Sequence, residues 1–222
     1  MAERKRAEVV RWPEDTAGQR KLIQRAADLI RAGEVVAFPT DTVYGIGVHA
    51  WNHAAIQRLY AVKERPATKA IALLISGHDQ VRAVSDYSSA DLGRLATRFW
   101  PGGLTLILPW KPQAQSAAQQ PFATVGLRMP DHPIALALIA EVGVPLATTS
   151  ANLSGAPSAV TAGEVDRQIG DRVAMIIDGG TCPGGRDSTV VDLTTRPPVV
   201  RRLGAVSVEE LESVLGTVAV ET

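Results

Sequence analysis

Short apolar runs of strand length alternate with segments of helical periodicity from about residue 17 to about residue 215, and nothing linker-like separates them. That alternation restricts the chain to an α/β arrangement in which helices cover most of one sheet. Leu22, Ile23, Ala26, Leu29 and Ile30 share one helical face over 17–32, and Gly33 follows as a stop. A strand over 34–38 ends at Pro39. A helix starts near Asn52, a good N-cap, and runs to about Lys63, where Arg65-Pro66 stops it. Further strands are expected over 71–75, 104–108, 123–129, 145–148, 173–177, 189–193 and 199–203, and further helices over 88–99, 133–142, 162–169 and 207–215. The stretch 110–121, rich in Gln, Ala and Pro, reads as a surface loop. Two short strands in succession near the end predict a mixed sheet. The expected organisation is an N-terminal extension over 1–16, one α/β domain over 17–215 and a C-terminal tail over 216–222.

Charge and cysteine content narrow the function classes. Lys+Arg and Asp+Glu each number 23, so the formal net charge is zero and no global field attracts nucleic acid. An anion site must be local. The single cysteine, Cys182, permits no intrachain disulfide and no CxxC site; with no thiolate activator beside it, it reads as a loop spectator. His49 and His53 have helical i, i+4 spacing without an HExxH context, so they read as ordinary histidines and not as metal ligands. The opening MAERKRAEVVRW lacks an apolar core, which argues against a secretory signal, and no apolar run approaches 18 residues. A reducing cytoplasmic setting is expected. The run Arg4, Lys5 and Arg6 reads as a solvated tail, with RNA contact as its alternative.

Polar and small residues concentrate where strands end, the place where open α/β sheets bind ligands. The clusters are Thr40 to Gly47, Arg128 to Asp131, Ser150 to Gly155 and Gly179 to Ser188; Lys63 to Lys69 joins them at the end of a helix. Together they predict a concave site for a ligand of several parts. Lys63, Arg65 and Lys69 suit phosphate, although a helix C-terminus also favours cations. Arg128 beside Pro130 suits a carboxylate clamp or a salt bridge. Arg201 and Arg202 are neighbours on a strand, so at most one points into a site. Ser150 and Asn152 either bind a ligand together or shape a turn. The glycines at 179, 180, 184 and 185 either present backbone N–H groups to an anion or only permit turning.

Named motifs exclude some chemistry. None of the lysines follows a glycine, so a Walker phosphate loop is absent. Gly45-Ile46-Gly47-Val48-His49-Ala50 matches GxGxxA, but it begins seven residues past the preceding strand, too late for a dinucleotide-binding turn. No GxSxG elbow supports a serine hydrolase.

Seven segments in order resemble the YrdC-like threonylcarbamoyl-AMP synthase family. They are Phe38-Pro39-Thr40-Asp41-Thr42-Val43-Tyr44-Gly45-Ile46-Gly47, Lys63-x-Arg65-Pro66, Trp100-Pro101-Gly102-Gly103-Leu104-Thr105, Gly126-Leu127-Arg128-Met129-Pro130, Thr149-Ser150-Ala151-Asn152-Leu153-Ser154-Gly155, Ser188-Thr189-Val190-Val191-Asp192 and Arg202-Leu203-Gly204. The resemblance implies a twisted, open, mixed sheet flanked by helices, with a concave, positively charged site. It implies a nucleotidyltransferase that converts L-threonine, bicarbonate and ATP into threonylcarbamoyl-AMP and pyrophosphate. That product is the precursor of N6-threonylcarbamoyladenosine at position 37 of tRNAs reading ANN codons. By the same resemblance Lys63 and Arg65 are catalytic. Lys63, Arg65, Thr124, Ser150, Asn152 and Arg202 bind ATP, and Thr40, Tyr44, Arg128, Ser150 and Ser188 bind threonine. Mg²⁺ is expected with ATP, and a downstream threonylcarbamoyl transferase complex as the consumer of the product. Longer relatives carry an additional C-terminal domain, and the resemblance is to the form without it. Two other readings stand beside this one: a non-catalytic member of the same fold that binds double-stranded RNA or tRNA, and a nucleotide-binding regulatory domain.

Overall fold

Alternate residues of the central strands go to two different cores, and that division decides where a ligand can sit. The computed structural model describes residues 6–221. The strands are β1 (Glu8–Arg11), β2 (Val36–Phe38), β3 (Gly45–His49), β4 (Ala72–Leu74), β5 (Leu104–Pro109), β6 (Thr124–Arg128), β7 (Leu146–Ser150), β8 (Met175–Asp178), β9 (Thr189–Asp192), β10 (Val199–Arg202) and β11 (Ala219–Val220). The helices are α1 (Thr16–Arg31), α2 (His53–Lys63), α3 (Asp79–Val84), α4 (Ala90–Phe99), α5 (Pro112–Ala118), α6 (Pro133–Val142), α7 (Ala162–Ile169) and α8 (Val208–Leu215).

All the strands join one open, mixed sheet in the order β1-β8-β2-β3-β7-β4-β6-β5-β9-β10-β11. Parallel pairs such as β4 with β6 stand in the same sheet as antiparallel pairs such as β5 with β6 and β3 with β7. Helix starts follow local chemistry. Asp15 caps α1 through Gly18 N–H, Asn52 caps α2 through Ala55 N–H, and Thr161 and Ser207 form capping boxes with Glu164 and Glu210.

One face of the sheet is covered by residues from α2, α4, α5, α7 and α8, including Ile56, Leu59, Leu95, Phe99, Ala114, Val165 and Leu211. They meet Leu73, Leu104, Leu106, Leu127, Ala147 and Val191 from the strands. On the other face α1 and α6 bring Leu22, Ile23, Ala26, Ile30, Ile134, Leu138 and Ile139 against Val36, Phe38, Leu74, Leu146, Met175 and Ile177. Those two helices reach only part of that face. Beyond them, over β4, β6, β5 and β9, the strands turn Ala72, Gly126, Thr105, Ile107 and Val190 toward an open hollow. Burying a Leu or Val side chain fully is worth about 1.5–3 kcal/mol. The covered face therefore holds these strands, and the other face is left free for polar and small residues.

Several elements differ from the sequence reading. The segment 110–121 contains α5, with Pro112 in its first turn and Ala114 and Ala118 buried, so its Gln and Ala content is helical rather than looped. Gly45 and Gly47 do not lie in a loop but in β3, paired with β2 and β7. A Cβ at Gly47 would stand 2.9 Å from Phe38 Cε1, so this glycine permits close packing inside the sheet. Thr149 and Ser150 close β7 rather than opening the following loop. Residues 8–11, expected in an extension, pair with β8, and residues 219–220, expected in a tail, pair with β10. Helix α3 was not anticipated. Arg6 pairs with Asp166, whereas Arg4 and Lys5 lie outside the described residues. No described helix is long and apolar enough to cross a membrane.

Candidate active site

The hollow over the uncovered part of the sheet has a volume of about 310 Å³, within the range of small-molecule sites. Thr40, Tyr44, Arg65, Arg128, Ser150, Ser188 and Arg202, all singled out from the sequence, line its wall. The charged side chains on that wall are Arg65, Arg128, Arg202 and one carboxylate, Asp187. Lys63 and Asn152 sit immediately behind Ser150 instead of on the surface. Thr124 lies at the outer end of β6, two residues along from Gly126 and therefore on the same strand face.

Lys63 is the last residue of α2, and Ser154 N–H caps its carbonyl at 3.0 Å. Glu64 then takes a left-handed conformation, φ 53°, which ends the helix and sends Arg65 to the rim of the hollow. Arg172 fixes this turn by donating to Glu64 Oε1 at 2.6 Å and to the Val62 carbonyl at 3.3 Å. Lys63 as a residue is only 2% exposed. It spends its donors on the Ser150 carbonyl at 2.6 Å, Ser150 Oγ at 3.1 Å and Asn152 Oδ1 at 2.8 Å. Burial, reinforced by Arg65 and opposed by Asp187, pushes its pKa down from 10.5 to about 8. At neutral pH it is still charged, and its anchors Ser150 and Asn152 are held together by a 2.6 Å hydrogen bond. Ser150 and Asn152 thus do shape a turn, and in doing so they also position a buried cation.

Arg65 donates to the Lys69 and Ala70 carbonyls at 3.3 and 2.8 Å, which leaves most of its fork unspent. Arg128, on β6, is the most enclosed cation on the wall. Nε donates to the Gly102 carbonyl at 2.9 Å, Nη1 to Thr42 Oγ1 at 2.9 Å, and Nη2 to Asp41 Oδ1. The salt bridge with Asp41 and a place in the hollow coexist: three of five donors are used, and two remain. Arg201 and Arg202 divide as the strand geometry requires. Arg201 pairs with Asp192 and Glu221, and Arg202 reaches the Ser188 carbonyl at 2.8 Å and Ser188 Oγ at 3.1 Å. A bulge in β10 between Val200 and Arg202 accompanies this.

The hydroxyls carry more structural duty than the sequence suggests. Thr40 Oγ1 donates to the Val43 carbonyl at 2.6 Å and accepts from the N–H groups of Thr42 and Val43, so its own turn uses it. Ser188 Oγ shares a 2.8 Å bond with Thr105 Oγ1. Tyr44 OH donates to the Gly180 carbonyl at 2.7 Å and ties the glycine loop to the wall. Burial raises the Tyr44 pKa well above the usual tyrosine value and pushes the Cys182 thiol up to about 11, which keeps both neutral. The sequence reading gave no individual role to Thr105, Thr148, Asp187 or the Asp41 partner of Arg128, although Asp41 and Asp187 fall within clusters it named. The place of Thr105 between Leu104 and Leu106 in β5, beside the alternation of Val125 and Leu127 with Thr124, Gly126 and Arg128 in β6, was the signal for Thr105. Asp187 carries no such signal.

Gly204 packs directly against the backbone of Asp187 and Ser188. A Cβ there would fall 2.2 Å from the Asp187 carbonyl oxygen, while Gly204 N–H donates to Thr189 Oγ1 at 2.9 Å. Gly204→Ala is expected to lower stability by about 1–3 kcal/mol, read as a lower urea midpoint with an unchanged slope. An unchanged midpoint would show that the segment yields without cost.

Comparison with known proteins shows the family. The sequence model of the Sua5/YciO/YrdC family, described as "Telomere recombination", matches residues 28–204. The chain belongs to this family. It is 44% identical over 200 residues to a threonylcarbamoyl-AMP synthase of Bacillus subtilis, covering 90% of this chain and 58% of the relative. It is 41% identical to a putative threonylcarbamoyl-AMP synthase of Mycobacterium tuberculosis over 87% of this chain and 89% of that one. Among solved structures, Pyrococcus abyssi Sua5 complexed with L-threonine superposes with a TM-score of 0.87 at 38% identity, over 98% of this chain and 63% of that one. The chain spans about 58% of the length of the first of these relatives.

Proposed function

We propose that the chain is an L-threonylcarbamoyladenylate synthase, joining L-threonine, bicarbonate and ATP into threonylcarbamoyl-AMP and pyrophosphate. The observation that carries this reading is that Arg65, Arg128, Ser150 and Arg202 line one hollow, with Lys63 anchored directly behind Ser150. The names of the relatives support it.

In this reading the threonine amine, once it has given up its proton, captures CO₂, or bicarbonate with loss of water, as an N-carboxylate, which then attacks the α-phosphorus of ATP and expels pyrophosphate. The attacking group is already anionic, so that step needs no strong base. The site's work is to position two anions and neutralise charge. Lys63, Arg65 and Arg202 serve the phosphates, with Thr124, Ser150 and Asn152 on the nucleotide side. Arg128, Tyr44, Thr40, Ser150 and Ser188 enclose threonine. Mg²⁺ arrives on the triphosphate oxygens as part of the nucleotide substrate. The product feeds a threonylcarbamoyl transferase acting on tRNA adenosine, and a cytoplasmic setting goes with that role. Incubation with ATP, labelled bicarbonate and threonine, without RNA, is expected to yield a labile labelled adenylate and threonine-dependent pyrophosphate. RNA binding with no adenylate would overturn the reading in favour of a non-catalytic family member.

The lowered Lys63 pKa gives activity and stability opposite slopes. The ammonium is lost as pH rises through about 8, so kcat/KM for ATP is expected to fall about tenfold per pH unit beyond that point. The unfolded chain keeps its proton up to 10.5 and so binds more protons than the folded one in between. Conformational stability therefore rises from about pH 8 to 10.5 from this group. Urea midpoints of wild type and Lys63→Met over that window check the sign: the difference in slope should disappear with the lysine.

A further inference from the structure

Asp187 is the one carboxylate on a wall otherwise charged by Arg65, Arg128 and Arg202. It follows the glycine loop and lies two residues before the start of β9. Its Oδ1 accepts from Ser158 Oγ at 3.1 Å. Among the described residues its Oδ2 accepts no hydrogen bond and stands 3.7 Å from Arg202 Nη1. It also acts on Lys63 and Arg128 from a distance, favouring the charged form of each. An anion with unspent lone pairs therefore stands in reach of the cations that would take phosphate and carboxylate.

An amino acid at neutral pH brings a positive group into such a site as well as a negative one. Cations arranged for anions repel that ammonium, and it needs an acceptor. The alternatives on the wall are committed. Thr40 Oγ1 is saturated within its own turn and Ser188 Oγ is engaged by Thr105 and Arg202, while Asp41, which accepts from Arg128 and Asp131 N–H through Oδ1, does not line the hollow. Of the neighbouring backbone, the Ser188 carbonyl already accepts from Arg202 Nε and Nη2, and the Asp187 carbonyl from Ala205 N–H.

We infer that Asp187 seats the α-ammonium of the substrate, so that the hollow selects a zwitterionic α-amino acid over the corresponding hydroxy acid. This assignment rests on the proposed activity and adds the group that recognises the amine. With the carboxylate on Arg128 and the ammonium on Asp187, the amino acid is gripped at both charged ends. Its amine is then held on the side of the hollow nearest Arg202, where the carboxylated nitrogen must later meet the nucleotide.

The test is calorimetric and needs no turnover. Full-length wild type, Asp187→Asn and Ser158→Ala are titrated with L-threonine, with (R)-3-hydroxybutyrate, which lacks only the amine, and with Mg²⁺–ATP. Wild type is expected to prefer threonine. Asp187→Asn is expected to bind threonine about tenfold to a hundredfold more weakly, with the hydroxy acid and Mg²⁺–ATP unchanged. Ser158→Ala removes the residue's side-chain hydrogen bond within the protein while keeping its charge, and should leave threonine affinity within about threefold. If Asp187→Asn binds threonine like wild type, or if Ser158→Ala reproduces the full loss, the assignment fails. Loss of Mg²⁺–ATP with threonine retained would make Asp187 a metal-side residue and also overturn it. A wild type blind to threonine would instead sink the proposed activity itself.

Discussion

Lys63→Met is expected to cut threonine-dependent pyrophosphate release by about a thousandfold while leaving the chain folded. The lysine is buried and its three hydrogen bonds all go to the Ser150–Asn152 turn. It is therefore the fixed positive charge behind the wall, in place before any nucleotide arrives. Methionine retains the length and packing of the stem. Removing a buried charge also removes its desolvation cost, so stability should change by no more than about 1–2 kcal/mol. Alanine would add a cavity and confuse the two effects. Arg65→Ala is expected in the same direction, without the packing ambiguity, since Arg65 bonds only to carbonyls of its own loop. Wild-type pyrophosphate release by a folded Lys63→Met protein would remove the lysine from the mechanism.

Arg128→Ala is expected to weaken threonine binding about a hundredfold and ATP binding by less than about threefold, with a large loss of stability besides. The stability loss has its own cause. Asp41 is only 15% exposed at its side chain and depends on Arg128 for its countercharge; removing one partner of a buried pair costs about 3–5 kcal/mol. Arg128→Lys separates the two roles. It keeps a cation for Asp41 but lacks the fork that holds Gly102, Thr42 and Asp41 at once. The lysine variant should recover most of the stability and little of the threonine affinity. Titrations in which ATP suffers more than threonine would place Arg128 on the nucleotide side.

Much of this architecture is legible in the sequence because its local signals agree. Asn52, Gly33 and Gly143 mark helix ends by well-understood chemistry, and α6 and α7 fall where periodicity puts them. What escaped is set by partners distant in the chain. β1 and β11 have only 4 and 2 residues and exist because β8 and β10 offer them free edges. β3 holds Gly45 and Gly47, poor strand formers that the sheet tolerates because Phe38 and Thr148 crowd them from both neighbours. At the site, residue types were readable but their commitments were not. No spacing reveals that Thr40's proton goes to Val43, or that Asp41 is the partner of Arg128 from 87 residues away.

The split between the two faces of β5 and β6 has a consequence for how such a chain can change over time. Leu104, Leu106, Leu108, Val125 and Leu127 anchor the strands from below, while Thr105, Ile107, Gly126 and Arg128 meet whatever enters from above. Ligand preference and folding strength are thus written in alternate letters of the same short words. Either text can be revised while the other is left standing.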